Sequence, residues 1–206
     1  MPGPSLPRSR WISPATDETD RLMAKEHLHR VRALFQMRRP LPVEDALRAA
    51  TRDIDVRPFQ PDQDADGFLR VNNRAFAWHP DQGNWTRDNL TSRMAEPWFD
   101  ADGFLIHESE GTIDGFCWTK VHEASDEDPA MGEIFVIAAD PATHGTGLGR
   151  ALTIAGLDHL AGQGLAVGML YVEHDNHPAV SLYERLGFSV HHTDAEYAAV
   201  DAGPAE

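Results

Sequence analysis

The sequence predicts an α+β fold with one mixed central sheet flanked by helices, and three observations carry that expectation. Beyond about Arg52, segments of strand and helix periodicity follow one another as strand, two helices, three strands, helix, strand, helix, strand, an order that neither an all-parallel nor an all-β fold produces. A glycine-rich turn, His144 to Arg150, stands between the third of the three strands and an amphipathic helix. The 206 residues, 41% hydrophobic and 25% charged, suit one globular domain of ordinary size with an appendage.

The first 25 residues, rich in Pro, Ser and Arg, read as a poorly ordered arm. Arg21 to Ala33 and then Leu34 to Arg39 are compatible with helix, closed by Pro40 and Pro42, and a short helix follows near Val43 to Ala50. A domain boundary is placed at about Arg52, so that residues 1–51 form an N-terminal arm, 52–200 the domain and 201–206 a disordered tail. Asp53 to Phe59 alternates as a strand, and Asp62 to Phe76 carries an apolar helical face in Phe68, Leu69, Val71 and Phe76. Thr86 is an N-cap for a helix to Met94. Three strands are expected at Phe104 to Glu108, Ile113 to Val121 and Gly132 to Ala139, separated by a turn at Gly111 and the acidic loop Glu123 to Pro129. Leu148 to Leu160 follows as a helix, Val167 to Val172 as a strand, Pro178 to Arg185 as a helix and Phe188 to His192 as a strand.

Composition excludes several function classes. A net charge of −15 argues against a nucleic-acid partner, because phosphate contacts need clustered Lys and Arg that only the N-terminal arm offers. No apolar run is long enough to span a bilayer, and the N-terminus lacks the apolar stretch of a secretory signal, so a cytoplasmic location is expected. The lone cysteine, Cys117, lies in an apolar run and reads as a small buried hydrophobe rather than a nucleophile. The histidine groups His174/His177 and His191/His192 lack the spacing of a closed zinc site, and no metal is expected.

The glycine turn is the strongest local signal. Gly145, Gly147 and Gly149 let backbone amides point inward without side-chain obstruction, and the helix start adds its positive dipole end, a construction suited to phosphate. Two familiar phosphate loops fail against it. A nucleotide-triphosphate loop needs Lys-Ser/Thr after its last glycine, where Arg150-Ala151 stands, and the dinucleotide fingerprint needs a Gly-x-Gly-x-x-Gly spacing at a first parallel strand. An anionic ligand in so acidic a chain must be held locally, by main-chain amides.

A second pattern, Asn176-His-Pro-Ala179-Val-Ser-Leu-Tyr183-Glu-Arg-Leu186-Gly187-Phe188, resembles the second signature of the GNAT superfamily of N-acetyltransferases. The glycine turn resembles the first, with His144 at the place of the usual Arg or Gln. The two occur in the family's order. The resemblance implies the GNAT acyltransferase fold and acetyl-CoA as co-substrate. It implies pyrophosphate contacts along His144, Gly145, Thr146, Gly147, Leu148, Gly149 and Arg150. The pantetheine arm then lies along Ile137, Ala138 and Ala139, with Asn176, Ala179, Val180 and Ser181 completing the cofactor site. It also implies a splay between the strands bearing Val136 and Leu170, where main-chain amides after Val136 polarise the thioester carbonyl. Tyr183 becomes the general acid beside the sulfur. Asn176 bonds the pantetheine, caps its helix, or both.

Acetyl transfer to an amine needs a base as well. Glu133 stands among Ile134, Phe135, Val136 and Ile137, where burial would raise its pKa toward a useful value; the alternative is a strand-end carboxylate in solvent.

Four further stretches, Val71 to Ala77, His79 to Gly83, Trp118 to His122 and Leu170 to Asn176, resemble mycothiol synthases within that superfamily. The implied reaction acetylates the cysteinyl amine of cysteinyl-glucosaminyl-inositol, the last step of mycothiol biosynthesis, with Lys120, Glu133, Tyr171 and Asp81, or Gln82, touching this small-molecule acceptor. That family has two tandem halves and binds its substrate against both. The resemblance covers the second half, preceded by Leu34 to Leu41, which is similar to the closing strand of the first. The expected state is a monomer, or an assembly in which a partner supplies the other half. An acetyltransferase for another small amine, and an idle acyl-CoA-binding module, stay open as alternatives.

Overall fold

A computed structural model describes residues 9–79 and 82–199. In chain order these residues form β1 (Ser9–Ile12), α1 (Asp17–Lys25), β2 (His29–Pro40), α2 (Asp45–Ala49), β3 (Arg57–Pro58), α3 (Pro61–Ala75) and α4 (Arg87–Met94). The three strands β4 (Phe104–Ser109), β5 (Thr112–His122) and β6 (Met131–Ala139) follow, then α5 (Leu148–Gly162), β7 (Val167–Glu173), α6 (His177–Arg185) and β8 (Ser189–Ala198). The chain groups into two compact units, Arg39–Leu170 and Met1–Arg38 with Tyr171–Glu206. Neither junction coincides with the boundary expected at Arg52.

The unit Arg39–Leu170 already contains a mixed sheet. Strands β3, β4, β5 and β6 pair antiparallel in sequence order, and β7 joins β6 in parallel. From Gly115 onward even-numbered residues of β5 face α3 and α4, where Phe68, Val71, Leu90, Phe104, Phe116 and Trp118 form a largely aromatic core that Ile113 joins. Phe104 stacks on Trp118 at 4.3 Å between centroids and on Phe59 at 4.2 Å. Odd-numbered residues face α5, which approaches closely at Gly156; a Cβ there would collide with Ile134 Cδ1 and Cys117 Sγ. Cys117 is fully buried beneath this helix, and burial pushes its thiol pKa up, as suits a packing residue.

The second unit joins the two ends of the sequence. β8 pairs antiparallel with β1 on one side and with β2 on the other, and α1 closes over Met23, Leu28, Ala195 and Tyr197. Residues 9–25 are therefore an ordered part of the unit, contrary to the arm expected. α1 begins at Thr16 with a reciprocal capping box to Thr19, and its first turn carries Asp17, Glu18 and Asp20 against the helix dipole. Tyr197 donates to Asp20 Oδ1 at 2.6 Å, and Arg30 binds the same carboxylate at 2.9 Å.

The helix expected over Arg21 to Ala33 is likewise corrected. It ends at Lys25, His27 takes φ 59°, and a twelve-residue strand replaces the rest, including Leu34 to Arg39. Ala, Leu, Met and Arg favour helix locally, but pairing with β8 and burial of Ala33 and Met37 override that preference. The strand expected over Asp53 to Phe59 shrinks to Arg57–Pro58: the Phe59 N–H still bonds the Phe104 carbonyl at 2.7 Å, but upstream the Asp55 carbonyl meets the His107 side chain, 2.8 Å from Nδ1, in place of a main-chain partner. The last strand runs on to Ala198, beyond the expected His192.

Candidate active site

β6 of the larger unit feeds directly into the glycine turn. Asp140, buried at the strand end, accepts from Ala142 N–H at 2.9 Å and starts a single turn of 3-10 helix, Pro141–Thr143. The chain then passes through left-handed backbone at Gly145 (φ +79°) and Gly147 (φ +83°), which L side chains adopt only with strain. Gly147 is the N-cap of α5, so the N–H groups of Leu148, Gly149 and Arg150 belong to its open first turn. Among the described residues these three amides and those of Gly145 and Gly147 have no backbone acceptor, whereas the His144 and Thr146 N–H groups bond Pro141 and Thr143 carbonyls, each at 3.3 Å. The space beside Gly145 is open. The turn thus presents five N–H groups at a helix N-terminus, with the positive end of the dipole behind them. His144 is exposed, and the Arg150 side chain turns toward α2, donating to Thr51 Oγ1 at 2.7 Å. Arg52, which the sequence reading passed over, lies with its Cδ 3.8 Å from a Cβ built on Gly147 and its guanidinium 3.5 Å from the Thr146 carbonyl. It supplies a cation at the turn.

Upstream, the β5–β6 ladder carries a bulge at Phe135, since Trp118 pairs with Val136 and Thr119 with Ile134. The bond from Asp140 N–H to the Asp114 carbonyl, 2.7 Å, sets the alternation of the ladder beyond it. By that alternation the main-chain groups of Val136 and Ala138 point to β5, and those of Ile137 and Ala139 point away from it. The parallel pairing of β6 with β7 covers only Gly132–Ile134 against Gly168–Leu170. Ile137 and Ala139 therefore turn their N–H and C=O groups to a side where that ladder has already stopped.

Glu133 lies on the α3/α4 face of β6, opposite Lys120 of β5, and is 6% exposed. Its Oε2 is 2.6 Å from Nε2 of His122, whose side chain is 33% exposed. Lys120 is not ion-paired among the described residues; its ammonium lies over the rings of Trp98 at 4.9 Å and Phe135 at 5.8 Å. Arg93 of α4 covers Phe135 from 5.6 Å. One face thus assembles a buried carboxylate, an imidazole and an ammonium beside two aromatic rings. His122 ends the Trp118 to His122 stretch, and its sequence signal is position, two residues past Lys120 on the same face of one strand.

Asp81 lies outside the described residues. Neighbouring Gln82 is tied to α3, its Nε2 donating to Asn72 Oδ1 at 3.3 Å and its carbonyl accepting from Asn72 Nδ2 at 2.8 Å. Asn73 exchanges two hydrogen bonds of 2.8 Å with the main chain of Trp85. The paired asparagines therefore anchor the loop between α3 and α4.

The other unit positions the second sequence pattern. Asn176 caps α6, its Oδ1 accepting from Ala179 N–H at 3.3 Å, and Pro178 needs no partner in that first turn. The Val180 N–H bonds the Asn176 carbonyl at 3.0 Å, and Ser181 sits within the helix. Tyr183 is 8% exposed, on the buried face of α6, edge-on to Phe188 at 5.8 Å. Tyr171 on β7 is 40% exposed, and its hydroxyl accepts from Gln36 at 2.8 Å. Among the described residues no group of three His, Cys, Asp or Glu side chains is placed to hold a metal ion, and no helix is long and apolar enough to cross a membrane.

Comparison with known proteins agrees with this architecture. The model of the acetyltransferase (GNAT) family matches residues 70–188. The chain is 48% identical over 177 residues to the mycothiol acetyltransferase of Thermomonospora curvata, covering 85% of this chain and 58% of that protein. It is 52% identical over 166 residues to the mycothiol acetyltransferase of Acidimicrobium ferrooxidans, covering 79% and 53%. The chain thus spans little more than half the length of these relatives. Among solved structures, a GCN5-related N-acetyltransferase from Sphaerobacter thermophilus superposes with a TM-score of 0.70 at 21% identity, over 92% of this chain and 58% of that one. A glycine turn with free amides, a bulged strand leading into it and a family match across more than half of the sequence place this chain in the acetyltransferase (GNAT) family.

Proposed function

We propose that this chain is the catalytic half of an enzyme that moves acetyl from acetyl-CoA to the cysteinyl amine of cysteinyl-glucosaminyl-inositol, completing mycothiol in the cytoplasm. The observation that carries the reading is the 48% and 52% identity to two proteins named mycothiol acetyltransferase. The residues present fit the cofactor: five amides at the start of α5 lack a backbone acceptor among the described residues, and the space beside Gly145 is open.

When bound, acetyl-CoA supplies an acyl group activated as a thioester. The amides of Gly145, Gly147, Leu148, Gly149 and Arg150 hold the pyrophosphate, and Arg52 adds charge to that grip. Ile137 and Ala139 offer main-chain N–H and C=O groups to the amide-rich pantetheine arm, with Ala138 between them. By the resemblance, Asn176, Ala179, Val180 and Ser181 also belong to the cofactor-binding residues. Glu133, shielded from water, takes a proton from the acceptor amine, directly or through one water. Tyr183 returns a proton to the departing sulfur. Lys120, Tyr171 and Asp81 bind the hydroxyl-rich sugar and cyclitol, with the Trp98 ring as an apolar floor.

By the resemblance, the acceptor rests against both of two tandem halves, and Leu34 to Leu41 is similar to the closing strand of the preceding half. Where the other half is absent, the acceptor is held weakly or a partner completes the surface. The test is release of free CoA thiol from acetyl-CoA and the cysteinyl-glucosaminyl-inositol acceptor. Saturable turnover supports the reading. Turnover of other amines but not this one overturns the acceptor assignment, and CoA binding without turnover of any amine overturns the activity.

A further inference from the structure

A carboxylate has two oxygens, and a base needs one of them presented at a defined angle. Glu133 is a flexible side chain; Lys120 of β5 stands opposite it, and Arg93 of α4 covers Phe135 on the same strand. Lys120 spends its charge over Trp98 and Phe135, and Arg93 lies over Phe135. Neither is bonded to Glu133 among the described residues; the hydrogen-bond partner that Glu133 does have is His122, at 2.6 Å from Oε2. A carboxylate 6% exposed has little water to satisfy it, so this bond is a main determinant of its orientation.

We infer that His122 is a positioning residue for acetyl transfer: it donates from Nε2–H to Glu133 Oε2, fixes the carboxylate, and leaves Oε1 as the basic atom. The inference rests on the acetyltransferase reading above. In the step it serves, the amine nitrogen forms a bond to the acyl carbon and the carbon–sulfur bond breaks. The amine proton passes to Oε1, and the sulfur takes a proton from the Tyr183 hydroxyl. Solvent then removes the proton from Glu133 and restores the one on Tyr183. His122 changes neither charge nor bonding in this cycle. With its side chain 33% exposed, it forms one wall of the face rather than part of the aromatic core, so its replacement acts on the carboxylate before it acts on folding.

The experiment compares His122→Phe, His122→Ala and His122→Gln with the unaltered protein. Phe keeps the ring without a donor, and Gln keeps an N–H donor without the ring. The expected result is a kcat lowered about 10- to 100-fold in the Phe and Ala variants, with KM for acetyl-CoA unchanged, and recovery of most of that loss in the Gln variant. Nitrogen-15 NMR of the unaltered protein is expected to place a proton on Nε2 of His122, with the signal displaced in Glu133→Gln. An undiminished kcat in His122→Phe, a His122→Gln variant that folds but is as slow as His122→Ala, or a bare Nε2 overturns the inference. An unaltered protein that acetylates no amine overturns the acetyltransferase reading and this role with it, whereas an active protein with an equally active Phe variant overturns the positioning role alone.

Discussion

The two ends of β6 present different kinds of group. At its C-terminal end the chain leaves the strand into Asp140, Gly145 and Gly147 and offers main-chain N–H groups; there the side chains matter by being absent. Near its N-terminal end Glu133, with Lys120 and His122 on the neighbouring strand, offers side chains whose mutual placement comes from strand register. The difference teaches that a backbone site tolerates an acidic protein. An overall charge of −15 opposes a polyanion, yet five amides and one guanidinium supply local attraction without a basic surface.

The sharpest way to break this comparison is at the side-chain end. Glu133→Gln keeps the shape and removes the base, and a fall in kcat of about 100- to 1000-fold is expected with KM for acetyl-CoA little changed. A variant that keeps its rate reduces Glu133 to a structural residue. At the backbone end, Gly147→Ala meets only ordinary contact with Arg52, so its cost is conformational, about 1–2 kcal/mol at φ +83°. It is expected to raise KM for acetyl-CoA about tenfold while leaving kcat near that of the parent, the reverse of the Glu133 result; isothermal titration with CoA measures the same loss directly. Arg52→Ala should weaken CoA binding about two- to fivefold, and less at high salt, because its guanidinium is exposed.

A control away from both ends is Asp64→Asn. Burial opposes ionisation of Asp64, but hydrogen bonds from Arg57, 2.7 and 2.9 Å, and from Gln60 N–H outweigh it and hold its pKa below the ordinary carboxylate range. The stabilisation is therefore complete above the unfolded chain's carboxylate pKa, about 4, and is lost as pH falls through the lower folded value. The substitution is expected to cost about 1–3 kcal/mol near neutral pH and less in acid, read by urea unfolding at several pH values, with no direct effect on kcat.

The same contrast explains what could be read in the sequence. The strands β4 to β6, the helices α3, α4 and α5 and the cap at Thr86 were legible because local periodicity and turn chemistry agree with the tertiary structure. The glycine turn was legible because φ near +80° leaves a mark in residue type. The partner of Glu133 was not, because it depends on pairing across a hairpin and on a bulge at Phe135 that no residue type announces. Arg52 precedes the turn by nearly a hundred residues and reaches it only through folding. β1 and β2 were misread because the evidence for them lies in β8, at the far end of the chain.

That last pairing bears on how the protein is made. Ser9 meets Ala198 and Arg38 meets Ser189, so a ribosome releases the opening strands long before it has synthesised the strand they enclose. Arg39–Leu170 can begin to condense during translation, while Ser9–Ile12 and the edge of His29–Arg38 that meets β8 must wait unpaired, a span exposed to aggregation or to capture by a chaperone.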